Sequence, residues 1–386
     1  MDVQALRDVV ARKEPTFLAE LEAMVNVDCG SYTPGGVNAI ADRCEVRFRD
    51  GGWEVERLVH EPAEDEPRLG DLVIGRCRGD GGPNVLMIGH TDTVFDEGTV
   101  EARPFRIDGT RATGPGVSDM KGGLLAGFVA VEALRETGFG GFGTITYVCN
   151  PDEEIGSPFS GPVIRDLAPA HDVALVLECA RANGDVVSAR KGVTDHVVTF
   201  RGRAAHAGVE PEKGRHAVLA AARATVALQE LNGRWPGVTV NVGVVRGGTR
   251  PNVVPERAVL EIDLRASTAA AQDAAEREIA TILADRHVDG VDVDVTSEST
   301  HRPMEKREAT TRLVEQAGVI AAELGFTLAD TATGGASDGN TTSAAGTPTL
   351  DGLGPIGGGA HGVDEWLDVE SIVPRVTLLA ALIARV

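Results

Sequence analysis

Acidic side chains and histidines follow three apolar runs of the sequence, at the points where buried strands would end. His90 and Asp92 stand in GHTDTV after the run NVLMI, and Glu153 and Glu154 stand in NPDEEIGS after TITYVC. Glu178 ends a third run, VALVLE, where a carboxylate is costly unless it is paired or coordinated. Imidazole and carboxylate groups bind zinc, and open α/β sheets form sites where their strands end. These positions therefore indicate a metal centre.

Two further candidates stand in glycine-rich segments, which allow close approach of backbone to a ligand. Asp119 is in GPGVSDMKGG, and His361 is in GGGAHGVDEW. Each motif alone has a simpler interpretation: a helix-capping aspartate, a surface histidine, a turn at His90, or a solvated loop at Glu153. Together the His, Asp, Glu, Glu and His side chains form a ligand set suited to two zinc ions that share a carboxylate.

The elements that would position these residues alternate between strands and helices. Helices are predicted at 1–26, with a break or kink near Pro15, at 36–50 and at 121–136. Apolar or alternating runs predict strands at 53–59, 71–78, 84–89, 143–149 and 172–178. This order is typical of an α/β domain whose mostly parallel sheet has helices on both faces.

A different pattern occupies residues 191–298. Alternating strands and two helices follow one another there in the order β-α-β-β-α-β, which is typical of a ferredoxin-like α+β unit with an antiparallel sheet. Helices near 306–324 and 369–385 then resume the first pattern. The sequence thus predicts a catalytic domain at 1–190 and 299–386, interrupted by an inserted domain at 191–298.

Composition narrows the classes of function. The 386 residues predict two domains, and the formal net charge of -21 makes nucleic acid an unexpected partner, because phosphate binding needs a basic face. The five cysteines form no C-x-x-C pair, which argues against a disulfide framework. Since we find no signal-peptide pattern and no membrane-length apolar run, we expect a cytoplasmic protein without a membrane partner.

The motifs GHTDTV, GPGVSDMKGG, NPDEEIGS, LEC and AHG, in this order, resemble the dizinc aminopeptidase and carboxypeptidase family. That family includes glutamate carboxypeptidase, acetylornithine deacetylase, succinyl-diaminopimelate desuccinylase and aminoacylase. The resemblance extends over nearly the whole chain. Through GTITYVCNPDEE and TGGASD the chain is most similar to bacterial glutamate carboxypeptidases of the folate-hydrolysing type. It departs from them at SDM, ECARANGD and ASDGN, so the substrate's side chain and acyl group stay open.

The resemblance implies a role for each candidate ligand. Asp119 would bridge two Zn²⁺ ions, for which Co²⁺ or Mn²⁺ are alternatives. His90 and Glu178 would complete one metal position, and Glu154 and His361 would complete the other. The peptide bond that follows Asp119 is expected to be cis.

The resemblance also implies roles in catalysis and substrate binding. Glu153 would be the general base and then the proton donor, and Asp92 would orient the first histidine. His206 in RAAHAG would polarise the scissile carbonyl, in its own site or in that of a partner subunit. Arginine suits a substrate carboxylate because its guanidinium forks onto it, although a strand arginine is also an ordinary surface charge. The positions that match carboxylate-binding ones are Asn252, Arg265, Arg302 and Gly335, with Gly334 and Lys191 beside them.

The resulting hypothesis is a dizinc metallo-amidohydrolase of carboxypeptidase type. It would release a C-terminal amino acid, glutamate or a similar acidic residue, from N-acyl or peptide substrates. The alternatives are a deacylase of another N-acyl amino acid and a catalytically silent relative that binds a carboxylate. Glu153 argues against silence, because a binding site needs no free base. The inserted domain would act as a lid, and its edge strand predicts a homodimer.

Overall fold

The structure is a computed structural model that describes residues 2–285 and 287–386, apart from the side chains of Glu298 and Ser299. The chain forms two compact units. The first unit comprises the chain up to Ser188, then 306–332 and 337–386. The second unit comprises 189–305 and 333–336.

The helices and strands are named in chain order. The α-helices are α1 Val3–Val25, α2 Pro34–Asp50, α3 Thr99–Ala102, α4 Gly122–Glu136, α5 Ser160–Leu167, α6 Ala217–Gln229, α7 Ala269–Ala284, α8 Glu308–Glu323, α9 Asp338–Ala344 and α10 Ile372–Ile383. The strands up to the inserted unit are β1 Glu54–Leu58, β2 Leu72–Arg78, β3 Val85–His90, β4 Arg106–Asp108, β5 Arg111–Thr113, β6 Thr144–Asn150, β7 Val173–Val176 and β8 Val186–Arg190. The later strands are β9 Gly192–Arg201, β10 Ala205–His206, β11 Thr239–Gly247, β12 Val253–Val254, β13 Arg257–Ala266, β14 Asp292–His301, β15 Asp330–Thr333, β16 Thr349–Leu350, β17 Gly357–Gly358 and β18 Trp366–Asp368.

A mixed sheet with the order β1-β2-β6-β3-β7-β16 forms the centre of the first unit. Strands β6, β3, β7 and β16 run parallel, and β1 and β2 add an antiparallel edge. The residues of β3 and β7 are buried throughout, because helices cover both faces of the sheet. Helices α1, α2, α4, α8 and α10 bury one face, and α5 buries the other. The predicted α/β fold with a mostly parallel sheet is confirmed.

A second, smaller sheet in the first unit has the order β17-β18-β5-β4. Its strands are two or three residues long, and β18 pairs with β5 in antiparallel register, Trp366 opposite Thr113. Such short strands leave no periodic signal, so this sheet is not predictable from the sequence. It matters for the site because it joins the segment before Asp119 to the segment after His361.

The second unit contains the antiparallel sheet β11-β13-β9-β14. Helices α6 and α7 pack on one face of it around a core that includes Phe200, Leu260 and Ile279. Strand and helix order along the chain is β-α-β-β-α-β apart from the short β10 and β12, as the alternating pattern predicts. The assignments of this unit as a lid and as a dimerisation domain stay predictions.

Helix α1 confirms the predicted helix and runs from Val3 to Val25 without a break at Pro15, where a kink stays a prediction. A proline in a helix removes one hydrogen bond. The buried side chains of Val10, Phe17 and Leu21 hold the helix against the core and outweigh that loss.

Two further observations concern membrane-spanning helices and disulfides. No helix among the described residues is long and apolar enough to cross a membrane. All five cysteines are buried, and none of them forms a disulfide.

Candidate active site

Three neighbouring parallel strands end beside one another in the first unit and carry most of the predicted ligands. His90 is the last residue of β3, Glu153 and Glu154 follow β6, and Glu178 follows β7. Because parallel strands present their carboxyl ends at one edge of a sheet, these side chains converge. The peptide bond between Asp119 and Met120 is cis, as expected.

His90 lies at the centre of the first group of side chains. Its Nε2 atom is 3.2 Å from Oδ1 of Asp119 and 3.6 Å from Oε1 of Glu178. Its Nδ1 atom lies 3.0 Å from the backbone oxygen of Asp92. In the tautomer that donates from Nδ1 to that oxygen, Nε2 keeps its lone pair toward the two carboxylates, which is the arrangement of a metal-binding histidine.

His361 forms the second group with the other oxygen of the same aspartate. Its Nε2 atom is 3.3 Å from Oδ2 of Asp119 and 3.0 Å from Oε2 of Glu154. Asp119 therefore faces one histidine with each carboxylate oxygen. The two groups share this residue, as the ligand set in the sequence suggested.

Glu153 lies beside the first group. One of its carboxylate oxygens lies within 4.8 Å of the ligand atoms of His90 and Glu178. Burial raises the pKa of Glu153 well above its usual range, and the nearby charge of Glu178 raises it further. A carboxyl group with a raised pKa accepts and returns a proton more readily near neutral pH.

The electrostatics of the other acids depend on the histidines. Burial opposes ionisation of Asp119, but hydrogen bonds with His361 and His90 outweigh it and hold its pKa below the usual range. Burial raises the pKa of Glu154 despite its contact with His361. Hydrogen bonds with Asp119 and Glu154 raise the pKa of His361 to about 10. The carboxylates thus outnumber the imidazoles that balance them, and a cation would offset the excess negative charge.

Asp92 connects the first histidine to the acidic loop. Its two oxygens accept the backbone N–H groups of Glu153 and Glu154, each at 3.2 Å, and Oδ2 also accepts the hydroxyl of Ser31 at 2.7 Å. The residue is 1 % exposed. Asp92 therefore fixes the backbone of the acidic pair as well as the ring of His90.

Asp338 was missed as a site residue, although it stands in the TGGASD motif used for the resemblance. Its oxygens accept the Ser157 hydroxyl at 2.7 Å and the Asn150 side-chain amide at 2.8 Å. Both partners flank the Glu153–Glu154 pair. Asp338 thus holds both ends of the acidic loop, a role that contacts across the fold reveal and local sequence does not.

Glu365 was also missed, although it stands in the quoted segment GGGAHGVDEW. Its carboxylate accepts hydrogen bonds from the loop that carries Asp119. The residue is 2 % exposed, and its carboxylate is the kind of buried group that needs partners.

The remaining candidates belong to the second unit. His206 in β10 pairs with Val253 in β12, and the Ala207 N–H donates to the backbone oxygen of Asn252 at 3.0 Å. His206 and Asn252 therefore lie together, and both are exposed. Arg302 forms an ion pair of 2.7 Å with Asp273 on α7.

Arg265 lies beside the 334–335 segment of the second unit. Its Nη1 donates to the Gly334 oxygen at 2.7 Å, while Nε and Nη2 contact the carboxylate of Asp263. Arg190 donates to the Gly335 oxygen at 3.2 Å. Because Asp263 already holds much of the guanidinium, binding of a substrate carboxylate by Arg265 would share or replace that contact.

Comparison with known families decides the class of the protein. The sequence profile of Peptidase family M20/M25/M40 matches residues 86–385. The chain belongs to this family. Relatives in sequence include carboxypeptidase G2 of Pseudomonas sp. strain RS-16, 29% identical over 374 residues that cover 96% of this chain and 89% of that protein. They also include succinyl-diaminopimelate desuccinylase of Methylococcus capsulatus, 31% identical over 318 residues that cover 76% and 81% of the two chains.

Solved structures of other proteins share the fold. Aminopeptidase PepT from Bacillus cereus superposes with a TM-score of 0.78 at 24% identity, over 96% of this chain and 98% of that one. The M20 metallo-carboxypeptidase Sso-CP2 from Sulfolobus solfataricus gives a TM-score of 0.75 at 15% identity, over 95% and 98%. Together with the family match, the sequence relatives identify the chain as a metal-dependent hydrolase.

The candidate ligand side chains are arranged at distances that fit a bound metal ion such as zinc. Nitrogen and oxygen ligands bind zinc at about 2.0–2.2 Å, which places neighbouring ligands of a tetrahedral ion roughly 3.3–3.6 Å apart. The contacts of His90 and His361 with the acids span 3.0 to 3.6 Å. The donor set is nitrogen and carboxylate oxygen, which suits zinc, cobalt or manganese.

Proposed function

We propose that this M20 hydrolase is a two-zinc carboxypeptidase. It releases a C-terminal amino acid, glutamate or a similar acidic residue, from N-acyl or peptide substrates. Co²⁺ or Mn²⁺ are alternative metals. The observation that carries the proposal is the arrangement of two histidine–carboxylate groups around the two oxygens of Asp119.

These contacts support the proposed ligand roles. His90 and Glu178 would hold one metal ion, Glu154 and His361 would hold the other, and Asp119 would be a ligand common to both. The excess of buried carboxylates over imidazoles supports two cations, because unpaired buried charge is strongly disfavoured. When bound, the metal ions would lower the pKa of a water molecule and polarise the scissile carbonyl.

Glu153 performs the proton transfers of the reaction. Its carboxylate lies beside the first ligand group and has a raised pKa, which suits a general base near neutral pH. It takes a proton from the attacking water and returns it to the amine that leaves. Asp92 orients His90 and the backbone of Glu153, so both groups are in place before substrate binds.

The second unit supplies substrate contacts in this proposal. His206 polarises the scissile carbonyl, in its own subunit or in a partner's. Its neighbour Asn252 and the guanidinium of Arg265 bind the free carboxylate, with Gly335 and Arg302 in supporting roles. The unit acts as a lid and forms a homodimer, and a monomer in light scattering would contradict the dimer and any action of His206 across subunits.

A second candidate function is removal of an acyl group from another N-acyl amino acid. The similarity to succinyl-diaminopimelate desuccinylases, 31% identical over 318 residues in one case, favours it. Both candidates cleave an amide beside a carboxylate, and they differ in which part of the substrate varies.

A hydrolysis screen separates the two candidates. The substrates are N-acyl amino acids and dipeptides in which the C-terminal residue and the acyl group change independently, with zinc present. We expect the strongest dependence on the C-terminal residue, with glutamate or aspartate preferred. A dependence on the acyl group alone would favour the deacylase, and no hydrolysis of any substrate would contradict both.

A further inference from the structure

Glu365 is a buried carboxylate of the first unit with no role in the proposed function. It lies between His361 and strand β18. Its exposed fraction is 2 %, so its charge has little access to water. The contacts around it connect two segments that carry proposed metal ligands.

Both oxygens of Glu365 accept hydrogen bonds from the segment before α4. Oε2 accepts the Gly116 N–H at 2.9 Å. Oε1 accepts the N–H groups of Ser118 at 2.8 Å and of Asp119 at 3.0 Å, together with the Ser118 hydroxyl at 3.2 Å. One side chain thus accepts hydrogen bonds from three backbone N–H groups of this loop, including the N–H of Asp119 itself.

The local backbone explains why the two segments meet there. Gly116 has a φ of +73°, a left-handed conformation that favours glycine and turns the following N–H groups toward one point. A Cβ atom on Gly357 would lie 2.5 Å from Cβ of Ser118, so glycine is needed there for the two loops to pack. The pairing of β5 with β18 then brings Glu365 to the donors.

The hydrogen bonds of Glu365 affect the positions of two proposed ligands, Asp119 and His361. Asp119 carries one of the donated N–H groups, and its two oxygens must face different histidines. His361 stands on the same segment as Glu365, at a φ of +64°. Glu365 holds the loop of Asp119 and belongs to the segment of His361. Its contacts therefore set the distance between these two segments.

We propose that Glu365 is a positioning residue of the metal centre, which holds the bridging Asp119 and the loop of His361 in register for metal binding. This inference rests on the proposed function, because it takes those two residues as ligands. Partners of metal ligands typically change metal affinity by about 10–100-fold when they are replaced.

The experiment measures zinc affinity of the metal-free full-length protein by competition with a fluorescent chelator. Glu365→Gln keeps the size of the side chain but replaces one acceptor oxygen by a donor that faces an N–H group. We expect its zinc affinity to fall about 10–100-fold. The matched control, Glu323→Gln, changes an exposed partner of Arg385 and should bind zinc like the wild type.

If Glu365 only stabilises the fold, the zinc-affinity measurement gives a different result. In that case Glu365→Gln lowers the melting temperature of the metal-free protein and leaves the zinc affinity within twofold of wild type, which overturns the inference. Asp119→Asn and His361→Ala, measured alongside, test the proposed function separately. If both bind zinc like wild type, the ligand assignment fails; if both lose zinc and Glu365→Gln does not, only the role of Glu365 fails.

Ser118→Ala decides the question if Glu365→Gln does not fold. It removes one donor to Glu365 and leaves the backbone contacts in place. Because one hydrogen bond contributes about 0.5–1 kcal/mol, we expect a two- to fivefold loss of zinc affinity. Unchanged affinity in this variant overturns the inference.

Discussion

His90 and its partner Asp92 in the first unit differ from His206 and Asn252 in the second unit in how firmly their surroundings hold them. His90 and Asp92 are each 1 % exposed, and neighbouring hydrogen bonds define their orientation. His206 and Asn252 are exposed and held mainly through their backbone. The difference indicates that the fold itself organises the surroundings of His90, whereas His206 and Asn252 remain accessible to a substrate.

The largest expected effect comes from a variant that removes the chemistry of the first unit and leaves its structure intact. Glu153→Ala removes the proposed base, so kcat should fall about 10²–10⁴-fold while metal content stays near the wild-type value. Steady-state kinetics and elemental analysis of the same preparation give both quantities. Glu136→Ala, on an exposed pair with Arg12, is the control and should keep full activity. Full activity in Glu153→Ala would refute the assigned mechanism.

Removal of metal tests whether the first unit depends on it for stability. A ligand bound at 100 times its Kd stabilises the folded state by about 2.7 kcal/mol, so chelation should lower the free energy of unfolding by an amount of that order. Urea unfolding with and without zinc measures the difference. Asp119→Asn should lose the response to zinc. An equal response in that variant would mean that zinc binds elsewhere.

Replacement of Arg265 tests the substrate contacts of the second unit. Arg265→Ala should raise KM about tenfold for substrates with a free carboxylate, because one charge-assisted hydrogen bond contributes about 1.5 kcal/mol. Amidated substrates should show no such change. The control is Arg246→Ala, an exposed arginine that pairs with Glu261 on the same sheet. Equal losses for both kinds of substrate would remove carboxylate binding from the role of Arg265.

The smallest effect is expected at Arg302. Its ion pair with Asp273 is partly exposed, and such pairs contribute about 0–1 kcal/mol. Because Asp273 already engages the guanidinium, we expect Arg302→Ala to change KM less than fivefold for the same substrates. A larger rise in KM than that of Arg265→Ala, measured in the same assay, would reverse the order of importance within the second unit.

Much of the candidate site in the first unit was predictable from the sequence. His90 ends a buried strand, and Glu153 and Glu178 follow two others. Buried parallel strands must bring such residues to one edge. The α/β alternation was equally clear. The family resemblance then supplied the roles that spacing alone left open.

The supporting residues were not predictable in the same way. Glu365 acts on a loop more than two hundred residues earlier, through strands of two or three residues that leave no pattern. Asp338 contacts Ser157 and Asn150 at a similar separation. Such contacts depend on the packed fold, so a single sequence does not display them.

The most direct test of the account is the zinc content of the purified protein together with that of His361→Ala. Elemental analysis after equilibration with zinc and removal of excess metal gives ions per chain. The account predicts two ions per wild-type chain and about one in His361→Ala, since only the second ligand group is lost. A fully active wild-type protein with one ion per chain, or a variant that keeps both, would contradict the shared two-metal centre.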